Sequence, residues 1–192
     1  MAQECKGCLA EFLDINPLPR PCSPQARAHW QPPQADVVKI NFDGANFSVM
    51  NKVGIGVVAC DNVDLVLASL SQQIPQAYLA KEIKTLAACK ALQFAFDIGI
   101  TDVVLKGHSQ ILMTRLIDDI EVLSYSGVLL DDVRQCSHFF NQLCYSHVKR
   151  EGNKVTHSLA RYAMHISDFV VWMEGVSPQY FSIILADLAG NF

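Results

Sequence analysis

A few groups of side chains in this sequence have the types and spacing that chemistry could use. Cys5-Lys6-Gly7-Cys8 has the gap of half a zinc site, with Cys22 and His29 as remote candidates for the other half. That second half lacks the tight spacing of a finger or knuckle, so zinc is not expected there. Gly54-Ile55-Gly56 is a lone Gly-x-Gly with no helix directly after it, a pattern that fits close packing inside a strand better than a dinucleotide loop. Asp43 places a carboxylate at the end of an alternating apolar run, opposite its apolar face. His138, His147 and His165 show no ligand spacing and read as structural or surface groups. Trp172 and Met173 read as packing residues rather than platforms for bases.

Composition limits what these groups can serve. The 192 residues are 51% hydrophobic and 18% charged, which excludes a disordered tail or a charged coiled coil. The length suits one compact domain with short appendages. A formal charge of -4 provides no global basic field, so a polyanion would need a local site. Seven cysteines are an odd number in a chain too large to need disulfide staples, and they are read as reduced. Glu4, Lys6 and Glu11 interrupt any secretory core, and no uncharged apolar run approaches the roughly 18 residues of a membrane span. The expectation is a cytoplasmic or nuclear monomer with no membrane partner.

The elements that must position the candidates follow from periodicity. Residues 1–36 hold Pro17, Pro19, Pro21, Pro24, Pro32 and Pro33, which blocks regular structure and marks a Pro-rich linker or remnant. Val38, Ile40 and Phe42 alternate with Lys39, Asn41 and Asp43, the period of a half-buried strand. Val53 to Cys60 and Leu65 to Leu70 read as two further strands joined at Asp61-Asn62, giving an antiparallel meander. Leu79, Ile83, Leu86, Ala87, Ala91, Phe94, Ala95 and Ile98 recur at helical spacing, with Leu92 and Phe96 widening the stripe and Gly99 closing it. A helix apolar over that much of its surface belongs between a sheet and another helix. Val103 to Leu105 reads as a buried strand, Ser109 as the N-cap of a helix through Ile120, Gly127 to Phe140 as another helix, and Leu143 to Val148 as the last strand. Asn153 is the expected cap of a final helix carrying Val155, Leu159, Tyr162 and Ala163, followed by an apolar tail broken at Ser177-Pro178. The order predicts a mixed α/β layer architecture.

That order, with Trp30-x-Pro32-Pro33, Lys39-Ile40-Asn41-Phe42-Asp43-Gly44-Ala45, Gly54-Ile55-Gly56, Ala91-Leu92-x-x-Ala95-x-x-x-Gly99 and Arg150-Glu151-Gly152-Asn153-x-Val155-x-His157-x-Leu159-Ala160-Arg161, resembles the ribonuclease H-like superfamily. The resemblance is specifically to the type-1 ribonuclease H domain of the plant retroelement branch, derived from non-LTR reverse transcriptases, and runs from about Trp30 to Phe192. It implies an α/β fold with a mixed five-stranded sheet, three antiparallel strands and then alternating helix and strand, flanked by helices. It also implies a linker or remnant at 1–36, the domain at 37–166 and a tail packing on it at 167–192.

The activity implied is metal-dependent endonucleolytic cleavage of the RNA strand in RNA–DNA hybrids, with Mg2+ or Mn2+. Two hard dications a few ångströms apart need several anionic oxygen ligands, or their mutual repulsion expels one. The resemblance maps the first-strand Asp of the site onto Asp43, which is retained as a metal ligand. The helix Glu maps onto Lys84, seven residues before Ala91-Leu92. The fourth-strand Asp maps onto His108, and the last-helix position onto His157, a residue the plant branch often uses there. Glu82 is offset by about 200° around the helix and is not expected to substitute for the lost Glu. A charged Lys84 would repel a cation with an energy on the order of several kcal/mol.

The implied site is therefore degenerate, and the expected function is an RNase H-like nucleic-acid-binding domain of retroelement origin with cleavage lost or impaired. In one arrangement Lys84 takes one ion's position and meets the phosphate. In another, Asp43, His108 and His157 form a two-His-one-carboxylate site for zinc, iron or manganese. Asn46, Lys149 and Arg150 are the candidate nucleic-acid contacts, because amides and cations there could grip phosphates. Lys149 and Arg150 could equally be an ordinary solvated strand end. The alternatives are an active hybrid ribonuclease with a rearranged site, or a retroelement-derived relic that binds protein.

Overall fold

The structure is a computed structural model and describes residues 37–76, 78–118 and 125–175. The Pro-rich segment, Cys5, Cys8, Cys22, His29, Trp30, the end of the helix expected through Ile120, and Ser177-Pro178 lie outside the described residues. Strand β1 (Val38–Phe47) turns through a short 3-10 segment, Ser48–Met50, into β2 (Lys52–Cys60), and β2 returns as β3 (Val66–Ile74). Helix α1 (Ala80–Asp97) leads to β4 (Asp102–Gly107), followed by α2 (Gln110–Ile117), α3 (Tyr125–Ser137) and β5 (Gln142–His147). A 3-10 turn, Arg150–Asn153, enters α4 (Lys154–Tyr162), and Phe169–Met173 forms β6.

The sheet has six strands in the order β5-β4-β1-β2-β3-β6. β1, β2 and β3 are antiparallel neighbours, whereas β4 and β5 run parallel to β1 and to each other. This is the expected mixed architecture with one strand more. The sixth comes from residues assigned to the tail, where Ala68 pairs with Met173 and Gln72 with Phe169. Only Trp172 of the tail's expected packing pair is inward, its ring 5.8 Å from that of Tyr162. Met173 is 63% exposed, because alternation along β6 turns it to the other face.

One face of the sheet carries the main core. Ile40, Phe42, Ile55, Val57 and Leu70 pack there against Ile83, Ala87, Ala91 and Leu92 of α1, and Leu130 and Val133 of α3 close the cluster. α1 is thus enclosed between sheet and helix, as its broad apolar surface requires. Residues from α4 cover the other face, where Leu159 packs with Val58 and Val66. Gly54 and Gly56 permit that contact: a Cβ at Gly54 would overlap the carbonyl of Ala160, and one at Gly56 the carbonyl of Thr156. Among the described residues, no helix is long and apolar enough to cross a membrane.

Candidate functional site

Asp43 does not end β1. The strand continues to Phe47, and the carboxylate sits mid-strand at 1% exposure, directed away from the main core. A carboxylate buried to that degree requires hydrogen-bond donors and compensating charge around it. Three residues supply these, with His108 beside them. The backbone N–H of Gly44 donates to Oδ1 at 2.7 Å, the ammonium of Lys84 donates to the same oxygen, and His157 Nδ1 lies 2.8 Å from Oδ2. His108 Nδ1 stands 3.6 Å from Oδ1. Lys84 reaches from the first turns of α1 and also donates to the Gly44 carbonyl at 2.8 Å, which fixes the ammonium between two oxygens of β1.

Glu82 has a different task. Its carboxylate accepts the Leu79 backbone N–H at 2.8 Å, while its own N–H donates to the Leu79 carbonyl at 2.9 Å. The negative side chain thereby satisfies the positive end of α1, and Lys84 is the residue on this helix that meets Asp43.

Asn153 stands at the start of α4 as expected, but its side chain does not cap the helix. Its amide donates to the Phe42 carbonyl at 2.9 Å and contacts His108 Nδ1 at 3.4 Å, and its oxygen accepts from Asn41 at 3.2 Å. Local capping yields here to a long-range brace between α4 and β1. Sequence reasoning missed the brace and the part of Asn41 in it; the sole signal was their presence in the Asn41-Phe42-Asp43 and Arg150-Glu151-Gly152-Asn153 motifs. His147, read as a structural or surface group, is exposed, and its Nε2 lies 3.2 Å from the His108 carbonyl, joining the ends of β4 and β5.

His108 is harder to protonate than an ordinary histidine. Burial is the main cause; the Asp43 carboxylate opposes it, and Lys84, Arg150 and His157 add smaller repulsions in the same direction as burial. An amide donating to Nδ1 suits the neutral ring. Arg150 is exposed yet close enough to His108 to act on it, and Lys149 beside it is exposed as well. Asn46 is exposed three residues beyond Asp43, and strand alternation sends its side chain to the sheet face of Gly44. The structure therefore gathers Asp43, Lys84, His108 and His157, sets Arg150 at their edge, and leaves Asn46 apart from them.

This arrangement does not fit a pair of Mg2+ or Mn2+ ions. Oδ1 of Asp43 already accepts two donors, the backbone N–H of Gly44 and the Lys84 ammonium, and the neighbouring side chains Lys84 and His108 offer an ammonium and an imidazole, not further carboxylates. The two-His-one-carboxylate arrangement fails for the same reason, since both carboxylate oxygens are engaged by the chain's own donors. Among the described residues, no group of three or more His, Cys, Asp or Glu side chains is placed to hold a metal ion.

Residues 41–163, more than half of the chain, match the family model described as reverse transcriptase-like. A comparison with curated proteins finds no match. Among solved structures, the chain is similar to RNase H1 of the halophilic archaeon Halobacterium salinarum NRC-1, at 23% identity and TM-score 0.62, over 67% of this chain and 98% of that one. It is also similar to the N-terminal RNase H domain of a Mycobacterium tuberculosis protein, at 22% identity and TM-score 0.60, over 67% and 94%. A third likeness is to LC11-RNase H1 from compost, solved in complex with an RNA/DNA hybrid, at 21% identity and TM-score 0.58, over 67% and 96%. Identities of this size establish a shared RNase H fold, and the match over residues 41–163 places the chain in the reverse transcriptase-like family.

Proposed function

We propose that the chain is a nucleic-acid-binding RNase H-like domain of retroelement origin that holds an RNA–DNA hybrid without cleaving it efficiently. The observation that carries this reading is the Lys84 ammonium seated on Asp43, at the position where a hydrolytic site of this family would bring a second carboxylate. Lys84 supplies internally the positive charge that a buried Asp43 needs. No hydroxide is generated there for attack on phosphorus, and the remaining chemistry is that of a phosphate contact.

The C-terminal ends of the parallel strands β4 and β5 support such a contact, because open α/β sheets present ligand sites at those ends. His108 and His157 flank Asp43 and Lys84 there, Arg150 lies close enough to act on His108, and Lys149 beside it in sequence is exposed to solvent like Arg150. With the Lys84–Asp43 pair neutral, the local charge is positive although the chain as a whole is acidic. Glu82 gives no support to a rearranged active nuclease, since its carboxylate is held by the start of α1.

Anisotropy of a labelled RNA–DNA hybrid, measured in a salt series with a chelator present, tests the proposal. Binding is expected without divalent metal, weakening as salt rises, and Lys149→Ala with Arg150→Ala should lower affinity and flatten the salt slope by about 2. A folded chain that fails to hold hybrid at low salt would reject the reading and favour a protein partner.

A further inference from the structure

Away from the Asp43 cleft, α1 and α3 pack side by side, and their contact contains a feature the proposed function does not use. Cys89 Sγ of α1 lies 3.7 Å from Cys136 Sγ of α3. The two residues are far apart in sequence, and the fold alone makes them neighbours. Cys89 is buried among the apolar side chains of the main core, and Cys136 is half-buried at its margin. A single buried cysteine would serve as a small apolar filler. Two thiols in van der Waals contact, one of them reachable from solvent, form a reactive pair.

We propose that Cys89 and Cys136 are a dithiol that closes to an intramolecular disulfide on reaction with a low-molecular-weight disulfide such as oxidised glutathione, tying α1 to α3. The sulfur of Cys136, as thiolate, attacks one sulfur of the oxidant; the oxidant's S–S bond breaks and one thiolate leaves. Cys89 gives up its proton to that leaving thiolate, and its sulfur attacks Cys136 Sγ, which expels the second glutathione as thiolate. Two protein thiols are oxidised and one disulfide is reduced to two thiols. Closure brings the two sulfurs from 3.7 Å to the roughly 2.05 Å of a disulfide.

The environments assign the two roles. Hydrogen bonding from Cys89 holds the Cys136 thiol below the usual cysteine range, which favours the thiolate at the more accessible sulfur. The same contact, with burial, pushes Cys89 up, so it is suited to resolve and not to initiate. By contrast, burial pushes the Cys60 thiol up to about 12.

The test uses the full chain treated with oxidised glutathione, trapped by alkylation, digested and mapped by mass spectrometry. The parent should yield a Cys89–Cys136 linked peptide. Cys89→Ser should stop at a glutathione adduct on Cys136, and Cys136→Ser should lose both the bridge and the adduct at this place. The oxidised parent should also unfold at a higher temperature than the reduced one, a shift reversed by dithiothreitol and absent from both variants. A Cys136 that stays freely alkylated, or one that keeps its glutathione in the parent without Cys89 displacing it, would overturn the proposal.

Discussion

On one side of Asp43 stands α4, which is bound into the fold at every turn. Asn153 holds the Phe42 carbonyl, His157 holds Oδ2 of Asp43, and Gly54 and Gly56 bring the helix backbone against β2. On the other side stand Lys84 of α1, whose ammonium is shared between Asp43 and the Gly44 carbonyl, and His108 after β4, whose ring lies 3.6 Å from Asp43. The first wall is built from the Arg150-to-Arg161 motif, and the second carries Lys84 and His108 where the resemblance implies carboxylates. Interdigitated backbone and buried amides tolerate little change, because each loss leaves a void, a clash or an unpaired group. Carboxylates whose task is to hold metal can be replaced once something else neutralises Asp43.

If Lys84 is that replacement, removing it leaves a buried charge with too few partners, and the largest effect should be here. Lys84→Met is expected to cost about 3 kcal/mol in urea denaturation, and Asp43→Asn in the same chain should recover most of the loss. A cost near that of an ordinary surface change would equate the two walls and break the comparison. The α4 wall is probed next by Gly56→Ala, whose Cβ would strike Thr156 and Ala160; a loss of about 2 kcal/mol is expected by the same measurement. Asn153→Ala, which leaves the Phe42 carbonyl without its donor, should cost about 1.5 kcal/mol.

The smallest effect is a pH dependence on the second wall. The folded-state pKa of His108 is below its ordinary 6.5, so between those two values the unfolded chain binds more protons than the folded one. Stability from this residue is full above pH 6.5 and declines as pH falls through 6.5 towards the lowered value. His108→Asn should remove that part of the slope when denaturation is compared at two pH values spanning 6.5, and an unchanged slope would show that His108 is not the group responsible.

The same contrast explains what the sequence reveals. Alternation in β1 and the apolar stripe of α1 are local patterns, and both elements form where those patterns lie. The Gly-x-Gly of β2 reads correctly as close packing because the reason for it is steric. The sixth strand is missed because Phe169–Met173 is a short apolar run whose partner, β3, lies about a hundred residues earlier. Asn153 is expected to cap a helix because capping is local, whereas the atoms it serves belong to β1. The Cys89 and Cys136 contact is invisible for the same reason. At the site, the identities of Lys84, His108 and His157 can be placed by motif, but the seating of the ammonium on Asp43 and the capture of Glu82 by its own helix end are facts of packing.

Cleavage of a labelled RNA–DNA hybrid in Mg2+, measured under single-turnover conditions for the parent and for the chain carrying Lys84→Glu with His108→Asp, tests the central claim most directly. The account predicts negligible cleavage by the parent and a gain of activity in the double variant that Asp43→Asn abolishes. Cleavage by the parent that matches the double variant and depends on Asp43 would contradict it.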